Sequence, residues 1–100
     1  MNKFDWTLVY RVVKEKFVLR KAKNEIVIVP LVNDVADMTN VITLNEVATD
    51  IIEKIDGVNT VEQIVSQLLE EYDVKKNILE EDISNFIIEA KNKGIIQQVN

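Results

Sequence analysis

Residues 41–57 read "VITLNEVATDIIEKIDG", and within them the hydrophobic period changes from two to 3.6. "VITL", 41–44, is a β-branched run and reads as a short strand. From Leu44 onward, Val47, Ala48, Ile51, Ile52 and Ile55 recur at helical spacing and form one apolar face. Thr43 and Glu46 have the spacing of a capping box, with Ile42 and Val47 as its hydrophobic staple; Asn45 is the alternative N-cap. Gly57 is placed to stop the helix at positive φ. A strand therefore turns directly into a helix. So short a strand raises the question of what covers its outer edge, where N–H and C=O groups lack partners.

Upstream, "WTLVYRVV", 6–13, places Trp6, Leu8, Tyr10 and Val12 on one side of an extended chain. "FVLRK", 17–21, and "EIVIVPL", 25–31, read as a hairpin, with Asn24 tolerating the left-handed turn conformation. Pro30 has no N–H and is expected at a strand end or on an edge. "VNDVADMTN", 32–40, reads as a polar connection. Downstream, Thr60 and Gln63 have capping-box spacing ahead of a stripe of Val61, Ile64, Val65, Leu68, Leu69 and Tyr72. A last helix spans about 76–93, with Leu79, Ile83, Phe86, Ile87 and Ala90 inward, Gly94 beyond its end, and Ile95 and Ile96 closing the chain. The expected fold is α+β: a three-stranded antiparallel sheet followed by a three-helix bundle, in the order β-β-β-α-α-α of a winged helix-turn-helix. Residues 1–100 make a single domain.

Composition narrows the chemistry. The chain has no histidine and no cysteine, which removes zinc sites of the usual kind, Ser-His-Asp triads and thiolate catalysis. Two glycines cannot build a phosphate loop. The expectation is no catalytic residue, no metal and no cofactor. No run approaches the roughly 18 apolar residues of a membrane span, and the N-terminus lacks a signal-peptide pattern, so a cytoplasmic protein without a membrane partner is expected. Residues 1–24 carry seven Lys/Arg and two Asp/Glu, whereas residues 25–100 carry five and fifteen. A DNA-reading second helix needs Lys and Arg. Residues 60–90 instead hold eight acidic and two basic groups, so no nucleic-acid partner is expected. The run Glu80, Glu81, Asp82 fans around the helix rather than converging, as a solvated first turn does; Asp82 lies near the apolar stripe. Ile78 and Ile88 fall off the stripe and are expected at the surface.

These pieces resemble the PqqD family, whose fold is the recognition element for ribosomally made, modified peptides. The matching segments are "FVLRK" at 17–21, "IVIVP" at 26–30, "TLNEVATDI" at 43–51, "DG" at 56–57, "TVEQI" at 60–64, "EYDV" at 71–74, Asp82 with Phe86, and "KGII" at 93–96. Ile52 stands where many members carry tryptophan, and Asn24 where many carry glycine. Residues 1–14 lie outside the match, as an arm that folds back or swaps onto a second copy in a homodimer.

The resemblance implies a non-catalytic peptide chaperone. Such a protein binds the leader of a precursor peptide as an added strand and presents it to a modifying enzyme, often a radical SAM enzyme. Carried over, the peptide-binding residues are Asn40, Val41, Ile42 and Thr43 on the third strand, and Leu79, Asp82, Ile83 and Phe86 on the third helix. Val41 and Ile42 face opposite sides, so only one faces the core. The alternatives are a winged-helix transcription regulator and a structural dimer subunit.

Overall fold

A computed structural model describes residues 4–100. The element order is β1 (Tyr10–Val12), β2 (Phe17–Ala22), β3 (Glu25–Val32), β4 (Val35–Ala36), β5 (Ile42–Thr43), α1 (Glu46–Glu53), α2 (Val61–Glu71), α3 (Lys76–Asn92) and β6 (Ile96–Gln98). The α+β class and the three helices match the expectation; the number of strands exceeds it. β3 is the centre of the main sheet. It pairs antiparallel with β2 on one side and with both β4 and β5 on the other.

Three departures from the sequence reading have local causes. First, the polar connection contains β4. Asn33 and Asp34 both adopt positive φ (52° and 65°), as a two-residue type I′ hairpin turn requires, and they bring Val35 opposite Val32. Second, the β2–β3 turn puts Lys23, not Asn24, at positive φ (57°). Third, Pro30 lies inside β3. The Pro30 carbonyl accepts from Asp37 N–H at 2.7 Å, so its nitrogen points to the same side. That side is the gap between the Ile28–Ile42 and Leu31–Ala36 pairs, where no ladder donor is needed.

The helix ends also sort out. Asn45 caps α1, accepting from Ala48 N–H at 2.8 Å, and displaces the Thr43–Glu46 alternative. Thr60 and Gln63 form the expected reciprocal capping box. Gly57 has φ +80° but lies beyond the α1 C-cap, Lys54; its N–H donates instead to Tyr10 C=O at 2.9 Å, tying the arm to the loop. Gly94, at φ +75°, lets the chain leave α3 and start β6.

The arm does not join the main sheet. β1 pairs antiparallel with β6 in a separate two-stranded sheet, and Leu8 and Trp6 carbonyls accept from Val61 and Glu62 N–H at the start of α2. Its inward alternation is as expected: Tyr10 and Val12 are buried, with Trp6 and Leu8 packed against the core. The core joins Ile26 and Ile28 of β3 to Ile51, Ile52, Ile64, Leu68, Ile83 and Ile87 of the helices. Ile52, at 2% exposure, fills its position without an aromatic ring. Ile78 and Ile88 are exposed. Among the described residues no helix is long and apolar enough to cross a membrane.

Candidate functional site

The sheet leaves one edge open beside α3. Leu44 N–H donates to Ile26 C=O at 2.8 Å, so Leu44 faces β3. Alternation then turns the backbone groups of Ile42 toward β3 and those of Val41 and Thr43 away from it. Among the described residues no strand pairs with β5 on that outer side.

The short strand is held by its successor helix. Where the next ladder bond is due, the chain has already bent into α1, and the Thr49 hydroxyl takes its place. Ile26 N–H donates to Thr49 Oγ1 at 2.9 Å, and Oγ1 reaches Leu44 C=O at 3.5 Å. Thr49 is 1% exposed and is the sole buried polar residue among those described. On the other side of β5, Asp37 organises the approach. It accepts from Thr39 N–H at 3.0 Å, from the Thr39 hydroxyl at 2.6 Å and from the Asn40 side-chain amide at 2.8 Å. These bonds hold the Asp37 carboxyl below the usual carboxylate range, the Thr39 hydroxyl contributing most.

The open edge borders a groove of about 240 Å³ between β5 and the C-terminal half of α3. Ile42, Leu44, Ala48, Ala90 and Ile95 give it an apolar floor, and Thr43, Asn45, Glu89 and Lys93 a polar rim. Glu89 and Lys93 pair at 3.0 Å, both exposed. Phe86 is half-buried and also borders a second hollow, on its α1 side.

The residues expected at a site divide accordingly. Ile42 and Thr43 line the groove, and Val41 sits on the open edge with its side chain 38% exposed, opposite in sense to Ile42. Phe86 stands between the two hollows, and Asp82 lies on the rim of the second. Asn40 is engaged with Asp37 rather than with the groove. Leu79 and Ile83 are core, at 3% and 0% exposure, and line neither hollow. The helical side of this groove lies further along α3 than Leu79 and Ile83. Glu89, Ala90 and Lys93, at i+3, i+4 and i+7 from Phe86, form it. The signal was present in two small residues: Ala48 and Ala90 leave space that larger side chains would fill.

No group of three or more His, Cys, Asp or Glu converges among the described residues. Elsewhere, Tyr72 donates a hydrogen bond to Asp50, which together with burial pushes its phenol up to about 12. That pair ties the end of α2 to α1, away from the groove.

A solved structure titled "TbiB1 in Complex with the TbiA(beta) Leader Peptide" is similar in fold, with a TM-score of 0.73 at 21% identity, over 87% of this chain and 94% of that one. No curated protein sequence matches the chain. Residues 25–96 match the family described as Coenzyme PQQ synthesis protein D, PqqD. That span runs from β3 through the open edge and the groove to the start of β6, and the chain belongs to the PqqD family.

Proposed function

We propose that this chain is a non-catalytic chaperone for a ribosomally made precursor peptide. It takes the peptide's leader as an extra strand on the open edge of β5 and presents the remainder to a modifying enzyme, a radical SAM enzyme in the reading favoured by the family. The observation that carries this is the conjunction of outward-facing Val41 and Thr43 backbone groups with an apolar groove alongside them. Strand addition draws affinity from the backbone and selectivity from side-chain pockets, and both are present at one place. Family membership and the leader-peptide complex of the similar TbiB1 structure support the same reading. A DNA-reading role fits poorly, because α3 presents Glu80, Glu81, Asp82 and Glu89 where a recognition helix needs cations.

The test is amide NMR of the labelled protein with the leader of a precursor encoded beside its gene. Shifts are expected at Val41–Asn45 and along Phe86–Lys93, with the solvent face of α2 unperturbed. A leader that binds while leaving both segments unshifted refutes the assignment.

A further inference from the structure

The hollow on the α1 side of Phe86 differs in chemistry from the groove beside β5. Its volume is about 360 Å³, and Val47, Ala48 and Ile51 of α1 give it an apolar floor. Both charged groups that border it are carboxylates, Asp82 and Glu89. They stand at i−4 and i+3 from Phe86, on the same helix face. Glu89 is engaged by Lys93, which borders the β5 groove instead. Asp82 is exposed and forms no salt bridge among the described residues. The two hollows are contiguous, since Asn45, Ala48, Phe86 and Glu89 border both.

A strand added to β5 directs alternate side chains to the groove side, about 6.6–6.8 Å apart. One such side chain enters the β5 groove, whose floor is apolar. The next one along passes the Phe86 ring and meets an apolar floor ending in a free carboxylate. A long aliphatic stem with a cationic head matches that sequence of surfaces: the stem covers apolar area and the head stays at the wet rim. A half-buried phenyl ring beside the path adds attraction for a cation.

Resting on the reading of the β5 edge as a peptide site, we infer that this hollow is a subsite for a lysine or arginine side chain of the bound peptide. Its stem lies on Val47, Ala48 and Phe86, and its head lies at Asp82. The subsite selects among peptides that the backbone edge alone would not distinguish.

The experiment uses a random-peptide display library selected separately on the full chain and on Asp82→Lys, with amide NMR of the enriched peptides. Peptides selected on the unmodified chain are expected to shift Val41–Asn45 and to carry Lys or Arg at one fixed register. Those selected on Asp82→Lys are expected to shift the same amides but to carry Asp or Glu there. Replacing the basic residue by Gln is expected to weaken binding about threefold to fivefold on the unmodified chain, the upper part of the range for an exposed ion pair, and less than about twofold on Asp82→Asn. Peptides that shift the β5 amides but show no basic preference, an apolar preference, or one unchanged by Asp82→Lys overturn the subsite and leave the edge intact. Peptides that bind without shifting β5, or a library that yields no binder, overturn the edge reading and the subsite with it.

Discussion

Replacing Thr49 by valine removes one hydroxyl from the interior at nearly constant shape. In the structure that hydroxyl accepts from Ile26 N–H at 2.9 Å and approaches Leu44 C=O at 3.5 Å, at a residue 1% exposed. The longer contact is marginal, so the main loss is the partner of the Ile26 amide. Leaving a buried donor unpaired costs about 1–3 kcal/mol. The methyl that valine adds in place of the hydroxyl returns up to about 0.8 kcal/mol. The expected net loss is about 1–2 kcal/mol, which for a domain of this size lowers Tm by about 4–16 °C. Urea denaturation gives the stability difference, and hydrogen exchange gives its location. The Ile26 amide is expected to exchange faster in Thr49→Val. Thr49→Ser is the control: it keeps the hydroxyl, loses roughly one methyl's worth of burial, about 0.8 kcal/mol, and leaves the Ile26 amide protected. If Thr49→Val is as stable as the parent and its Ile26 amide is equally protected, the hydroxyl does not stand in for a ladder bond, and another explanation is needed for how so short a strand is held.

Further outcomes follow from the same geometry. Phe86→Ala is expected to weaken leader binding at least about tenfold by isothermal calorimetry while costing about 1–2 kcal/mol in urea denaturation, since the ring is only half-buried; unchanged affinity would refute a role for the ring. Deleting residues 1–13 removes β1, exposes the faces that Tyr10 and Val12 cover and frees Val61 N–H, so a Tm fall of more than about 10 °C or failure to fold is expected by calorimetry. Arg11 donates two bonds of 3.0 Å to Glu15 and holds that carboxyl at about 2. Because the folded value lies below the ordinary 4.5, the pair's contribution is complete above about pH 4.5 and disappears as pH falls toward about 2; carboxyl NMR should show that midpoint, and Arg11→Gln should return it to the ordinary range. Tyr72 has the opposite sense: its raised value stabilises the fold below the ordinary 10, and that contribution is lost as pH rises through about 12; burial also raises Tyr10, so ultraviolet titration should show both tyrosines ionising late, and Tyr72→Phe should remove the one at about 12.

Periodicity made the helices legible because each has a single buried stripe: Val61, Ile64, Val65 and Leu68 could be placed inward from spacing alone, and all are buried. The Thr60–Gln63 box was legible for the same reason, since both partners lie within one turn. What depends on distant partners was not. β6 has one buried residue followed by two exposed glutamines, and only pairing with β1, at the far end of the chain, makes it a strand. β4 is two exposed residues whose pairing follows from a turn without glycine. Around the groove, the sequence reading names Ile42, Thr43 and Phe86, but it does not name Glu89, Ala90 and Lys93 as lining residues. A helix's apolar stripe points to its most buried face, and a groove wall lies at the margin of that stripe, where Leu79 and Ile83 do not reach.

The main sheet has two outer edges, and the chain treats them differently. Along β2 and its flanks lie Lys16, Arg20, Lys21 and Lys23, all exposed; lysine-rich edges resist pairing with another strand. The β5 edge presents Val41 and Thr43 and no charge. It is also very short. The outward groups of these two residues offer about four ladder bonds, each contributing about 0.5–1.5 kcal/mol net. Ordering a disordered segment costs about 2–5 kcal/mol, so the ladder alone comes close to breaking even. An arbitrary strand therefore gains little by docking there, and β5 stays safe from promiscuous pairing without the lysines that guard β2. A strand that also sets side chains into the hollows on either side of Phe86 gains what the backbone does not supply. On the proposed peptide role, shortness hands the choice of partner to the groove: lengthening β5 is expected to strengthen binding to every extended peptide at once and to erase any selectivity drawn from the side chains around the two hollows.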